Sequence, residues 1–222
     1  MPFAVAPDDP HRGQAVLTSG PKPVDARLTV ILVHGRGASA DDILELAAEL
    51  HCDDAAYLAP QAAGHTWYPC SFLAPIPQNE PGISSALAVL SSMIASLHDQ
   101  GVDSHRIGLL GFSQGACLVL EFAARYARRY AGVFALSGGL IGPPGTPRNY
   151  LGSFDGTPVF LGCSDTDPHI PLERVRESGE VFRRMNAKVD ERIYPQLGHT
   201  VTQDEIHAIK DILRPPDAGI SR

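Results

Sequence analysis

Ile107-Gly-Leu-Leu-Gly-Phe-Ser-Gln-Gly-Ala-Cys-Leu118 decides how this chain is read. The stretch opens on an apolar run of strand character and passes into an Ala- and Leu-rich segment whose helical spacing extends from Ser113 to Tyr130. Between the two, Gly111-Phe112-Ser113-Gln114-Gly115 matches the G-x-S-x-G pattern of a nucleophile elbow, a sharp strand-to-helix turn that lifts a serine above a sheet. A side chain at either glycine would clash with the neighbouring strand or helix across so tight a turn. The bare pattern describes equally well an ordinary turn with Ser113 as a helix N-cap. The strand before it and the helix after it make Ser113 a candidate nucleophile.

Working outward, the chain alternates. Leu28–Val33 is a continuous apolar, β-branched run, expected as a strand buried on both faces. Ser39, Asp41 and Asp42 are N-cap candidates for a helix through Leu50. Strands are expected at Ala55–Ala59, Ile107–Leu110, Gly132–Leu136, Pro158–Leu161 and Val189–Tyr194, and further helices at Ile83–Leu97, Leu172–Met185 and Gln203–Leu213. Strands separated by helices imply parallel βαβ units, and therefore a single α/β domain with helices on both faces of a mostly parallel sheet and no separate cap. That domain is expected over 27–222, with 1–26 as an N-terminal arm or an edge strand near Gln14–Thr18. In such sheets, sites form in loops beyond the carboxyl ends of strands.

Composition narrows the function classes. The 222 residues are 44% hydrophobic and 19% charged, with 18 Lys+Arg against 25 Asp+Glu, a formal charge of −7. No long basic run is present, so nucleic acid is not an expected partner. None of the four cysteines forms a CxxC pair, and a core this large needs no disulfide, so reduced thiols and a cytoplasmic location are expected. Met1–Pro10 lacks the apolar stretch of a signal peptide, and no apolar run approaches membrane-spanning length. Stable membrane insertion is not expected.

A serine hydroxyl needs a base, and the base needs an orienting acid. Both should follow later strands, acid first and histidine second. Gly162-Cys-Ser-Asp-Thr-Asp-Pro-His-Ile-Pro171 offers two acids. Asp167 is held extended by Pro168, whereas Asp165 is placed to brace the turn; pattern alone leaves both open. Asp165, Asp167 and His169 as metal ligands match no established spacing. His199, in the loop Tyr194–Thr200 between the last strand and the last helix, is the candidate base. Val33-His-Gly-Arg-Gly-Ala-Ser39 follows the first core strand, and its glycines let backbone amides approach a substrate. Oxyanion donors are expected to be the amides of Arg36 and Gln114. No phosphate-loop pattern is present. His34 precedes the serine in the chain and is expected to brace its loop. The long loop 60–81 carries Trp67, Tyr68, Phe72, Leu73 and Ile76, expected to line an apolar acyl or aryl pocket.

Leu32-Val-His-Gly-Arg-Gly37, Gly111-Phe-Ser-Gln-Gly-Ala116, Leu136-Ser-Gly-Gly139, Asp167-Pro-His-Ile-Pro171 and Gly198-His199 together resemble the phospholipase/carboxylesterase family, which includes acyl-protein thioesterases and small bacterial carboxylesterases. The resemblance runs from about residue 28 to 213 and implies an α/β-hydrolase fold. It implies Ser113 as nucleophile, His199 as base and Asp167, the aspartate directly before the proline, as acid. It places the oxyanion donors at the Arg36 and Gln114 amides. Arg36 stands where acyl-protein thioesterases usually carry a small apolar residue such as Leu, and the loop Ala63–Phe72 differs from theirs. A small-ester carboxylesterase is therefore expected ahead of protein depalmitoylation. No metal or organic cofactor is expected; the partner is a small-molecule ester, and a homodimer is left open. The rival readings are an acyltransferase on the same scaffold and a binding protein that has lost its chemistry.

Overall fold

The computed structural model describes residues 9–214; residues 1–8, which begin the expected N-terminal arm, and 215–222 lie outside them. Seven strands form one sheet in the order β1-β3-β2-β4-β5-β6-β7. They are β1 (Val16–Ser19), β2 (Leu28–Val33), β3 (Ala55–Pro60), β4 (Ile107–Phe112), β5 (Gly132–Leu136), β6 (Pro158–Ser164) and β7 (Lys188–Tyr194). Only β1 runs antiparallel, against β3; every other pairing is parallel. The residues expected to hold an edge strand thus do so, with Val16 opposite Pro60. This is the α/β-hydrolase architecture.

Alternation along the strands splits the core into two layers. Ile31, Val33, Leu109, Val133, Ala135, Val159 and Leu161 face one side, under α2 (Gly82–Asp99), α3 (Gln114–Arg125) and α4 (Leu172–Arg184). Val30, Leu32, Leu110, Phe134, Leu136 and Phe160 face the other, under α1 (Ala40–Ala48) and α5 (Gln203–Leu213). Every residue of β2 is buried, which is why its sequence reads as an unbroken apolar run. Helix α3 is buried from Gln114 to Ala124 and so is apolar nearly all round. Ser39 caps α1 in a capping box with Asp42, and Thr202 caps α5 in one with Glu205.

Two boundaries differ from expectation by more than two residues. Helix α3 stops at Arg125, five residues before Tyr130. There the chain must turn back to start β5: Tyr130 N donates to Thr157 Oγ1 (2.9 Å) and Ala131 N to Ile107 O (2.8 Å), long-range bonds that helical spacing does not reveal. Strand β6 extends to Ser164 because β7 pairs with it over the full seven residues. Among the described residues no helix is long and apolar enough to cross a membrane.

Candidate active site

The site lies beyond the carboxyl ends of β2, β4, β6 and β7. Ser113 sits between β4 and α3 at φ 55°, ψ −118°, a left-handed conformation held by a hydrogen bond from its amide to Leu136 O (2.9 Å). Such backbone costs on the order of 1–3 kcal/mol and persists only where its surroundings enforce it. The elbow glycines show how. A Cβ on Gly111 would run into the backbone of Gly115 and Ala116, and one on Gly115 would sit on the carbonyl oxygens of Val33 and His34. Close packing of α3 against the end of β4 leaves no room for the first, and against the end of β2 none for the second.

Three side chains 32 and 86 residues apart form one continuous chain of bonds. His199 Nε2 lies 2.8 Å from Ser113 Oγ, and His199 Nδ1 lies 2.7 Å from Asp167 Oδ2. With the carboxylate ionised, Nδ1 carries the proton and donates it, which leaves Nε2 to accept from the serine hydroxyl. The Asp167 side chain is fully buried and that of His199 is 18% exposed. Burial pushes the Asp167 carboxyl upward, but hydrogen bonds from His199 and from the amides of His169 (2.8 Å) and Ile170 (3.1 Å) outweigh it and hold the group below the usual carboxylate range. Pro168 turns the chain so that these two amides fold back onto Oδ1.

Asp165 has a different task. Its Oδ1 accepts from Gln196 N (2.7 Å), and the neighbouring Ser164 Oγ accepts from Leu197 N and Gly198 N (3.1 and 3.2 Å). The end of β6 therefore fixes the loop that carries His199, whose ring also lies 5.0 Å from that of Phe112. With Asp165 and Asp167 committed in different directions, the two do not converge with His169 on a common point, and no group of three ligating side chains forms among the described residues.

Arg36 and Gln114 both line the cavity of about 370 Å³ that holds Ser113 and His199. Among the described residues neither amide donates to another protein group. Their side chains grip the same segment of the long loop, which lines the cavity with them. Arg36 donates to the carbonyls of Tyr68 (2.9 Å), Pro69 (2.9 Å) and Cys70 (2.6 Å). Gln114 Oε1 accepts from Trp67 N (2.8 Å), and its Nε2 donates to Tyr68 O (2.8 Å).

Of the residues expected to line a pocket, Tyr68 and Phe72 reach this cavity wall, and Trp67, Leu73 and Ile76 do not. Trp67 is fully buried, with its ring between those of His11 (5.2 Å) and His34 (5.1 Å) and its Nε1 donating to His34 O (2.9 Å). It anchors the loop, because an indole N–H so deep must find a partner, and the backbone beneath it supplies one. Leu73 and Ile76 are half-buried and pack back onto the core. A larger cavity of about 480 Å³ lies on the far side of the same segment, lined by Asp9, His11, Trp67 and Glu80, away from Ser113.

His11 escaped sequence reasoning entirely. Its Nδ1 accepts from Ala63 N (3.1 Å) and its Nε2 donates to Trp67 O (2.9 Å). His34 Nε2 accepts from Ala62 N (3.1 Å) while Nδ1 donates to Gly35 O (2.8 Å), which makes it the brace expected of it. A ring nitrogen that accepts an amide must be unprotonated, so both histidines are neutral; burial lowers the pKa of each. No local motif marks His11, since its partners lie more than fifty residues away.

The phospholipase/carboxylesterase family model matches residues 14–215. The acyl-protein thioesterase 1 of Debaryomyces hansenii is 26% identical over 215 residues, 85% of this chain and 93% of that one. That of Neurospora crassa is 28% identical over 140 residues, 61% of this chain, and the chain spans only 56% of its length. Among solved structures, a phospholipase/carboxylesterase from Dyadobacter fermentans superposes with a TM-score of 0.88 at 43% identity, over 91% of this chain and 97% of that one.

Proposed function

The chain belongs to the phospholipase/carboxylesterase family, and from that premise we propose that it is a serine hydrolase of small carboxylic esters working through an acyl-enzyme. Ser113 Oγ attacks the acyl carbon while His199 Nε2 takes its proton. Asp167 holds the imidazole in the productive tautomer and stabilises its charge. The amides of Arg36 and Gln114 receive the oxyanion, each donor contributing about 3 kcal/mol. The bond to the leaving oxygen then breaks as His199 returns the proton to it, and a water activated by the same imidazole releases the acid.

The observation that carries this reading is the unbroken relay from Ser113 Oγ to Asp167, at 2.8 and 2.7 Å. The fungal relatives bear the name acyl-protein thioesterase, which brings thioesters within the same chemistry. Four free thiols, two of them buried, suit a reducing compartment such as the cytoplasm. The test is a panel of p-nitrophenyl esters and acyl thioesters of graded chain length. Wild type should turn over the short oxygen esters best, and Ser113→Ala should lower kcat by about 10⁴-fold or more while the protein stays folded. Unchanged turnover in Ser113→Ala would remove the proposal.

A further inference from the structure

The walls of the Ser113 cavity carry cationic and donor side chains and no acid. Among the described residues its ionisable lining consists of Arg36, Tyr68, Cys70, Cys117, His169 and His199; the carboxylate of Asp167 is completely covered behind the imidazole. This inverts the balance of the molecule, whose formal charge is −7. Arg36 is exposed, and among the described residues no carboxylate pairs with it. Its three bonds go to the carbonyls of Tyr68, Pro69 and Cys70. Carbonyl dipoles fix the guanidinium without neutralising it, and two of its five N–H donors stay outside those bonds. His169 lines the same cavity, is exposed, and its ring stands edge-on to that of His199 at 4.9 Å and 78°. Its backbone amide serves Asp167, while its ring has no hydrogen-bond partner among the described residues.

A cation held rigidly by carbonyls and an imidazole without a hydrogen-bond partner, lining one cavity with Ser113, suit a single chemistry. We propose that this site prefers esters bearing a carboxylate, held between Arg36 and His169 while the acyl carbon meets Ser113. The inference rests on the hydrolase reading and adds the substrate's charge to it. Coulomb attraction between a substrate carboxylate and the guanidinium should give a preference of about tenfold.

The test compares shape-matched pairs by kcat/KM, with released acid followed by titration. Monoethyl succinate against ethyl isocaproate puts the anion on the acyl side; carboxymethyl butyrate against isobutyl butyrate puts it on the alcohol side. Wild type should favour the anionic member of at least one pair by about tenfold at low salt, with the ratio falling toward unity as Debye screening shortens. Arg36→Gln and His169→Gln should each shrink that ratio, and the double substitution should abolish it. The ratio is internally controlled, so it stays readable even if Arg36→Gln also slows both members. A ratio at or below unity in both pairs, or one insensitive to salt and to Arg36→Gln, would overturn the preference while leaving the hydrolase reading intact. Hydrolysis of none of the four esters would overturn both.

Discussion

The two halves of the site are built by opposite means. The Ser113, Asp167 and His199 half hangs from the carboxyl ends of β4, β6 and β7: the elbow glycines and Pro168 act within a few positions of Ser113 and Asp167, and backbone bonds from Gln196 and Gly198 to Asp165 and Ser164, at the end of β6, set His199. The wall formed by 66–72 hangs from the side chains of His11, Arg36 and Gln114 and the carbonyl of His34, all distant in sequence, with Asn79 bonding it from nearby. Reactive geometry is thus carried largely by backbone at the ends of strands, while the shape of the cavity is carried by a loop anchored mostly through single side chains distant in sequence. The first half tolerates little variation; the second can be reshaped one anchor at a time.

The sharpest way to break this contrast lies in the two acids of one loop. Asp167→Asn should lower kcat by about 10³–10⁴-fold, because an amide at that position favours the wrong imidazole tautomer. Asp165→Asn keeps an oxygen to accept from Gln196 N and should stay within a few-fold of wild type. Equal losses would show that the loop as a whole, and not the carboxylate behind His199, sets the rate.

Trp67 tests the other half. Trp67→Ala should cost about 3–5 kcal/mol of stability, read by chemical denaturation. Since the indole faces His11 and His34 and not the cavity, kcat/KM for acetyl and for bulky esters should fall by similar factors. A loss confined to bulky esters would return Trp67 to the acyl pocket.

The smallest effect is one of pH. His11 and His34 are held neutral, with pKa values lowered from 6.5 by burial. The unfolded chain binds those protons first, so the stabilisation is fully present above pH 6.5 and is lost as pH falls below it toward the folded values. The Tm should drop by about 2–4 °C for each kcal/mol lost, and His11→Gln should flatten that slope in a thermal scan. A Tm independent of pH between 7 and about 5 would contradict the neutral assignment.

The same contrast explains what could be read from the chain. The elbow, the order of acid and base, and the β/α alternation are local patterns, and they led to the sheet, to Ser113 and His199, and to the loop that offers two acids. The choice between Asp165 and Asp167 was not local: family resemblance favoured Asp167, and in the structure it is Asp167 that lies against His199. The side-chain duties of Arg36 and Gln114 were hidden because their partners lie some 32 to 47 residues away. Trp67, an aromatic in a loop, looks identical in sequence whether it faces a substrate or two buried histidines. The end of α3 was missed for the same reason, since Thr157 and Ile107 set it from a distance.

The central claim is that one hydroxyl in this chain is activated by an imidazole backed by a carboxylate. The most direct measurement is peptide mapping by mass spectrometry after brief treatment with a fluorophosphonate, on wild type and on His199→Ala. The account predicts a single adduct on Ser113 in wild type and its near-complete loss in His199→Ala. An unlabelled wild-type protein, an adduct on another residue, or equal labelling without the imidazole would contradict it.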